Sequence, residues 1–212
     1  MENPVPLLVF ALTLMLVPFV VVSITAFVKI AVVLFLVRSA LGVQQTPPNL
    51  VLYGVTIVLT AYVMSPVFSQ SFAAITAGGL ALTDPGQWPD LFEAGSAPVR
   101  AFLERFTSEQ ERLFFLEAAK EMHGDLETDI ADNDLFVLAP AFVTAELTRA
   151  FEIGVLLYLP FIVIDLVVTN ILTAMGMMMV SPMVISLPFK LLLFVAVDGW
   201  TRLTHGLVLS YI

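Results

Sequence analysis

The chain has 212 residues, of which 59% are hydrophobic and only 13% are charged, and its formal net charge is −9. Soluble domains are near half apolar and a quarter charged, so this composition indicates a membrane protein. The absence of cysteine excludes disulfides and thiolate metal sites, and the lack of a Lys/Arg cluster argues against nucleic-acid binding.

Four apolar segments follow one another along the chain, at residues 5–37, 50–72, 153–174 and 184–212. A membrane span needs about 20 apolar residues, so these segments can supply several spans. A proline inside a helix removes a hydrogen bond and bends or breaks the helix. The sequence therefore predicts kinks or interruptions at three prolines, Pro18, Pro66 and Pro160.

The first segment starts without a basic region or a small-residue cleavage site, so we expect an uncleaved first span. Lys29 lies inside this segment and Arg38 follows it. A lysine near the end of a span can extend its ammonium to the membrane surface. It can also pair with a carboxylate on another helix, and the sequence does not decide between these two interpretations for Lys29.

An acidic module separates two apolar halves of the chain. Residues 84–152 contain fifteen acidic and five basic side chains, a balance of −10, while the remaining residues sum to about +1. Within the module, helices are predicted at 97–106 and 109–122, with Ser108 and Glu111 forming a capping box at the start of the second. We expect three parts: an N-terminal apolar hairpin (1–72), the module (73–139) and a C-terminal apolar hairpin (140–212).

The distribution of basic residues predicts an orientation. Lys29 and Arg38 lie toward the far end of the first segment, so the positive-inside rule puts the N-terminus outside and the loop after Arg38 inside. Alternation then places the acidic module and the C-terminus outside, and the turn before Lys190 inside.

Glu146, Arg149 and Glu152 form a charged cluster where the chain re-enters the apolar region. Their spacing of three residues places them on one face of a helix. That face is either an interfacial salt-bridge surface or a contact with a neighbouring subunit, and both interpretations stay open.

Asp165, Thr169 and Thr173 form a polar stripe within the third apolar segment, because residues four apart share a helix face. An ionised carboxylate facing lipid costs a few kcal/mol or more, so the stripe should face protein or water. It is either a proton or ion site or a helix–helix contact with a partner cation. The second interpretation is favoured because no second intramembrane acid accompanies Asp165.

Asp198, Arg202 and His205 are predicted to share one face of the last segment, with Asp198 and Arg202 forming an i,i+4 pair. A catalytic Asp/His arrangement needs a nucleophile, and neither a cysteine nor a serine on that face is present. A role in packing or assembly is therefore favoured.

The stretch MGMMMVSPM (175–183) predicts a break in the helical structure. Gly176 permits unusual dihedral angles, and Pro182 restricts the residue before it. Three adjacent methionines, Met177, Met178 and Met179, cannot share one helix face, because successive residues turn by about 100°. The methionines either form a yielding hydrophobic seal in a cavity or simply fill gaps between helices.

No nucleotide, metalloprotease or nucleophile fingerprint appears in the sequence, so we expect no enzyme activity, no cofactor and no metal. The remaining evidence is a resemblance carried by three stretches: FVKIAVVLFLVRSALGVQQTPPN (27–49), PAFVTAELTRAFEIGV (140–155) and LPFIVIDLVVTNILTAMGMMMVSPMVISLPFKLLLFVAVDGW (159–200). They resemble the FliP/SctR family, the export-gate membrane proteins of type III secretion. LGVQQTPPN and the ending DGWTRLTHGLVLSYI are more similar to the injectisome branch than to the flagellar branch.

This resemblance implies an all-α, non-enzymatic core subunit that assembles into a homo-oligomeric ring, expected to be a pentamer, in the bacterial inner membrane. Two other export-gate membrane subunits are the implied partners, and unfolded secreted proteins are the implied substrates in transit. The family's methionine loop corresponds to Met177, Met178 and Met179, as a gasket hinged at Gly176 and Pro182. The family assembly also implies helices lifted largely out of the bilayer plane.

Under the same resemblance, the charged residues outside the loop are candidates for assembly contacts or charge pairs: Lys29, Arg38, Glu146, Arg149, Glu152, Asp165, Lys190, Asp198 and Arg202. Two other hypotheses remain. One is a multi-pass small-solute or ion transporter that uses Asp165 within the membrane, and the other is a membrane scaffold without a conduit.

Overall fold

The computed structural model describes residues 5–43, 45–78, 84–123, 130–177 and 179–212, without the side chains of residues 5–10, 13, 85 and 123. Over these residues the chain is helical and contains no strand, which confirms the predicted all-α class. The α-helices are α1 Val5–Ser23, α2 Phe27–Ala40, α3 Asn49–Ala77, α4 Trp88–Arg105, α5 Glu109–His123, α6 Leu135–Ala174, α7 Pro182–Ala196 and α8 Gly199–Leu209.

Helices α3 and α6 are each long and apolar enough to cross a membrane. The broken pairs α1–α2 and α7–α8 each pass the same length and apolarity test, so up to four spans are present among the described residues. The prediction of several spans from composition is therefore confirmed. Helices that are apolar on all sides belong in lipid or against other apolar helices.

The contacts divide the chain into two compact units. The first comprises Met1–Val28 and Met64–Glu146, and the second comprises Lys29–Val63 and Leu147–Ile212. The three-part division expected from the sequence stays a prediction, since it concerns segments along the chain rather than contacts.

In the first unit, α4 packs on the beginning of α6 through aromatic rings. The ring centroids of Phe102 and Phe142 lie 5.7 Å apart, and those of Phe102 and Phe106 lie 5.0 Å apart. Leu103 and Leu138 are fully buried beside them. The first unit therefore has an apolar core formed by α4 and the beginning of α6.

The predicted start of α5 is confirmed. The Glu111 amide donates a hydrogen bond to the Ser108 hydroxyl at 3.3 Å, and the helix begins at Glu109. The predicted helix at 97–106 is only the second half of α4, which begins at Trp88 and continues through Pro98. Pro98 favours a helix boundary in the middle of α4, whereas Asp90 in the first turn favours the start that the structure shows.

In the second unit, α2, α6, α7 and α8 share an apolar core. Ile30 and Leu34 of α2 are fully buried, and Phe161 of α6 lies 6.4 Å from Phe194 of α7 between ring centroids. A methyl group added at Gly154 of α6 would overlap the Leu36 side chain, so the backbones of α2 and α6 approach closely there.

The predicted interruptions at Pro66 and Pro160 are wrong, because α3 and α6 continue through them. Helix α1 also continues through Pro18, and the kink predicted there stays a prediction. The break in the first apolar segment lies at residues 24–26, where the Thr25 hydroxyl accepts a hydrogen bond from the Phe27 amide. A proline removes one helical hydrogen bond, and long apolar helices tolerate that loss when neighbouring groups compensate.

Two predicted boundaries also differ from the structure. Helix α6 begins at Leu135 rather than near residue 153, so Glu146 lies well inside a helix instead of at its entry. The last apolar segment is divided between α7 and α8, which are bent by 59°. Asp198 at this bend has a left-handed backbone, with φ 52° and ψ 44°.

Candidate functional site: the methionine loop and the α6–α7 charge pair

Helix α6 ends in a Schellman motif formed by the backbone of the methionine stretch. Gly176 has a φ of 71°, its amide donates to the Thr173 carbonyl at 3.0 Å, and the Met177 amide donates to the Leu172 carbonyl at 2.9 Å. A residue at this position must adopt the left-handed conformation, which glycine adopts without a steric penalty. Gly176 therefore fixes where α6 stops.

Helix α7 starts at Pro182, and Ser181 before it is extended, with φ −68° and ψ 116°. Proline disfavours a helical conformation in the preceding residue and suits the first turn of a helix. The chain thus leaves helical structure after Ala174 and regains it at Pro182, as the glycine and proline of the sequence predict.

The two described methionines of this loop differ in exposure. Met179 is fully exposed, whereas Met177 is 45% exposed. Met178 lies outside the described residues. The gap-filling interpretation therefore does not apply to Met179 within one subunit, and it stays open for Met177, which is partly covered by the chain.

A charge pair joins α6 to α7. The Lys190 ammonium lies 2.6 Å from one carboxylate oxygen of Asp165, and the Ser186 hydroxyl donates to the other oxygen at 2.6 Å. Lys190 also donates to the Ala40 carbonyl at the end of α2, at 3.2 Å. The lysine side chain is 5% exposed and the aspartate side chain 39%.

This network satisfies Asp165 with two hydrogen bonds from one face of α7, because Ser186 and Lys190 are one turn apart. The other members of the predicted stripe do not join it. The Thr169 and Thr173 hydroxyls donate to carbonyls of α6 itself, at 2.7 and 2.8 Å. The arrangement is a three-helix contact and lacks the converging oxygens of an ion site.

Lys29 is 1% exposed, so it does not extend to the membrane surface. Its ammonium lies 3.6 Å from the centroid of the Tyr211 ring, a cation–π contact within the second unit. No sequence pattern marks Tyr211 as this partner, since a tyrosine near the end of an apolar segment is common.

Arg38 holds the loop between α2 and α3. Its guanidinium donates to the Pro47 carbonyl at 3.2 Å and to the Asn49 side chain, and it lies 4.9 Å from the Phe35 ring. Arg38 therefore fixes the local turn in this chain.

Asp198 and Arg202 are one helical turn apart, as predicted. Asp198 is the N-cap residue of α8, and the Arg202 amide donates to its carbonyl at 3.0 Å. Neither side chain forms an ion pair within the described residues. Glu146 is fully buried, whereas Glu152 is exposed and Arg149 is half-buried on the same helix. Within the described part of the chain, no group of acidic or histidine side chains could hold a metal ion.

Residues 9–207 of the chain match the FliP family. The chain belongs to this family. It is 53% identical over 212 residues to the Yop proteins translocation protein R of Yersinia pestis, with 100% of this chain and 98% of the relative covered.

Two further relatives are similar to this chain over nearly their whole length. The hypersensitivity response secretion protein HrcR of Ralstonia nicotianae is 45% identical, covering 97% of this chain and 96% of the relative. The virulence protein YscR of Salmonella typhimurium is 40% identical, covering 99% and 98%. These relatives place the chain in the injectisome branch of the family, as the sequence resemblance predicts.

Proposed function

We propose that this protein is a core subunit of a type III secretion export gate and forms an oligomeric passage for unfolded secreted proteins. Full-length similarity to translocation and secretion proteins supports this role. The proposed role is structural and transport-related rather than enzymatic.

The main observation that supports a gate is the methionine loop. Its backbone is fixed at both ends, by the Schellman motif at Gly176 and by Pro182, while Met177 and Met179 are exposed. Methionine is apolar, unbranched and adaptable, and a hydrophobic constriction blocks ions by excluding water. In a ring of like subunits, Met177, Met178 and Met179 form a gasket that yields to a passing chain.

The exposed apolar surface supports assembly into a ring. Only 11% of the most apolar window of α6 is buried within the chain. The helix has 40 residues and is therefore about 60 Å long, twice the roughly 30 Å thickness of the hydrocarbon core. The beginning of α6 packs on α4 within the chain, and the exposed apolar remainder is available for contacts with other subunits. This surface supports a pentamer with two further kinds of export-gate membrane subunit.

We place the assembly in the bacterial inner membrane, with the acidic module on the periplasmic side. The apolar helices support a membrane location, and the positive-inside rule applied to Lys29 and Arg38 supports the orientation. Arg149, Glu152, Asp198 and Arg202 are candidates for contacts between subunits, whereas Glu146 is fully buried within the chain.

Ion conductance of the purified gate tests the gasket. Replacing Met177, Met178 and Met179 with alanine removes the side chains that exclude water, so we expect at least a tenfold rise in leak conductance in planar bilayers. The matched control replaces two exposed methionines outside the loop, Met15 and Met122, and should leave conductance unchanged.

Assembly is checked in the same preparations by the mass of the complex. An intact complex that conducts no more after the triple replacement contradicts the gasket. An equal leak in the Met15 and Met122 control also contradicts it, because the effect would then not belong to the loop.

The transporter alternative rests on Asp165 in an apolar helix. The pairing of Asp165 with Lys190 and Ser186 supports the helix–helix contact as the role of this residue.

A further inference from the structure

We propose that Met179, together with Met177 in the same loop, is a reversible oxidation site, and that conversion of its thioether to a sulfoxide opens the gate to ions. The oxidant is hydrogen peroxide, a small uncharged molecule. This inference rests on the proposed function of the methionine loop and adds a chemical control of the seal.

The exposure of the methionine side chains predicts which sulfurs react. Met179 is fully exposed and Met177 is 45% exposed, whereas Met64 of α3 is completely buried. Oxidation by a dissolved reagent follows the exposure of the side chain that carries the sulfur. The Met179 sulfur should therefore react first in the loop, and the Met64 sulfur provides a protected internal standard.

The composition of the loop makes its sulfurs the main target of a mild oxidant. The chain has no cysteine, and five of its nine methionines lie within residues 175–183. Ser181 carries the one polar side chain in that stretch, and no charged residue lies between Asp165 and Lys190. Sulfoxide formation would therefore turn an almost wholly apolar surface into a polar one.

The reaction transfers one oxygen atom to the sulfur. The sulfur lone pair attacks one peroxide oxygen, so that an S–O bond forms while the O–O bond breaks. The other oxygen leaves as hydroxide and takes up the proton of the transferred oxygen, which gives one sulfoxide and one water. The sulfur is oxidised by two electrons and the peroxide is reduced by two, and methionine sulfoxide reductases reverse the change.

The added oxygen changes how the side chain interacts with water. A thioether sulfur is only a weak hydrogen-bond acceptor, whereas methionine sulfoxide is polar. A hydrophobic constriction blocks ions because water does not wet it, so sulfoxides in its wall should admit water and ions.

Oxidation leaves the backbone of the loop in place. The Met177 amide donates to the Leu172 carbonyl at 2.9 Å, and the Gly176 amide donates to the Thr173 carbonyl at 3.0 Å. Neither hydrogen bond involves a sulfur atom. The expected change is therefore one of polarity, and it is reversible because the loop keeps its backbone conformation.

The test follows oxidation and leak conductance in the same purified gate, before and after exposure to hydrogen peroxide. Peptide mass spectrometry locates the added oxygen, and planar bilayers report the leak. We expect Met179 to be oxidised roughly tenfold faster than Met64, and the leak to rise about fivefold. Methionine sulfoxide reductases of both stereospecificities, with dithiothreitol as the reductant, should return the leak to its original value.

Leucine variants assign the effect to the loop. The combination of Met177→Leu, Met178→Leu and Met179→Leu removes the sulfurs but keeps similar volume and apolarity, so peroxide should no longer raise its leak. The matched control combines Met15→Leu with Met122→Leu, two methionines outside the loop that are 70% and 77% exposed, and it should respond to peroxide as the parent gate does.

Four results overturn the proposal: an unmodified Met179 in a gate whose Met15 and Met122 are oxidised, an unchanged leak after Met179 is oxidised, an equal rise in the loop leucine variant, or a rise that the reductases do not reverse. The alanine replacement of the loop separates this proposal from the gasket itself. A gate that leaks with alanine but not after oxidation refutes only the oxidation control, whereas a gate that leaks in neither case refutes the gasket as well.

Discussion

Replacing Asp165 with asparagine leaves the Lys190 ammonium, which is only 5% exposed, without the carboxylate that neutralises it. Removing one partner of a buried ion pair costs about 3–5 kcal/mol, and the partial exposure of Asp165 puts this case near 3 kcal/mol. The reverse change, Lys190→Met, leaves the Asp165 carboxylate, which is 39% exposed and still accepts a hydrogen bond from Ser186. We therefore expect Lys190→Met to lower the free energy of unfolding by only about 1–2 kcal/mol. The two replacements should therefore differ, with Asp165→Asn the more damaging.

Thermal unfolding of the purified protein, followed by size-exclusion chromatography with fluorescence detection, measures this difference. At about 2–4 °C per kcal/mol for a chain of this size, Asp165→Asn should lower the midpoint by about 6–12 °C. The variant with both Asp165→Asn and Lys190→Met should lose less free energy of unfolding than the two single variants added together, by about 1–2 kcal/mol, because it contains no isolated charge.

Glu93→Gln in α4 is the control for converting a paired carboxylate to an amide. Its partner Arg100 lies 2.8 Å away, but the Glu93 side chain is 65% exposed, so little change is expected. Equal losses from Asp165→Asn and Lys190→Met, or strictly additive losses in the double variant, would refute the reasoning that burial of the lysine dominates.

Three further predictions concern backbone and ring contacts. Gly176→Ala should destabilise the protein by about 1–2 kcal/mol, because alanine is strained in the left-handed backbone conformation of Gly176. Gly206→Ala should not, since Gly206 has equally open space at its Cβ and no positive φ. The thermal midpoints of the two variants make the comparison. Gly154→Val should destabilise the protein by about 1–3 kcal/mol, because the valine side chain would overlap that of Leu36, and the thermal midpoint should fall accordingly. Tyr211→Leu should cost about 1–2 kcal/mol through loss of the ring over the buried lysine of α2, and Tyr211→Phe should retain most stability in the same assay.

The parts of the structure that the sequence predicts are those set by local chemistry. Gly176 and Pro182 mark the helix break on their own, since each residue type restricts its own backbone or that of its neighbour. Ser108 marks the start of α5 for the same reason. Composition alone is sufficient to indicate apolar membrane helices.

The parts that the sequence does not predict depend on long-range contacts. Proline at position 66 or 160 favours a helix break, but α3 and α6 run through both residues, because the loss of one helical hydrogen bond can be compensated in a long apolar helix. The bend at Asp198 has a local marker in the Asp198–Gly199 pair, since aspartate tolerates the left-handed region, but the continuous apolar run on both sides predicts a single helix there. The choice of Lys190 as the partner of Asp165 depends on the α6–α7 hairpin, which periodicity does not specify.

The proposed gate requires the methionine loops of several subunits to meet and close a passage. A density map of the purified, closed complex locates the loop relative to the symmetry axis. We expect a ring of subunits with Met177 and Met179 converging on a central constriction too narrow for a polypeptide. A map that places these loops on the outer surface of the ring, facing lipid, would contradict it.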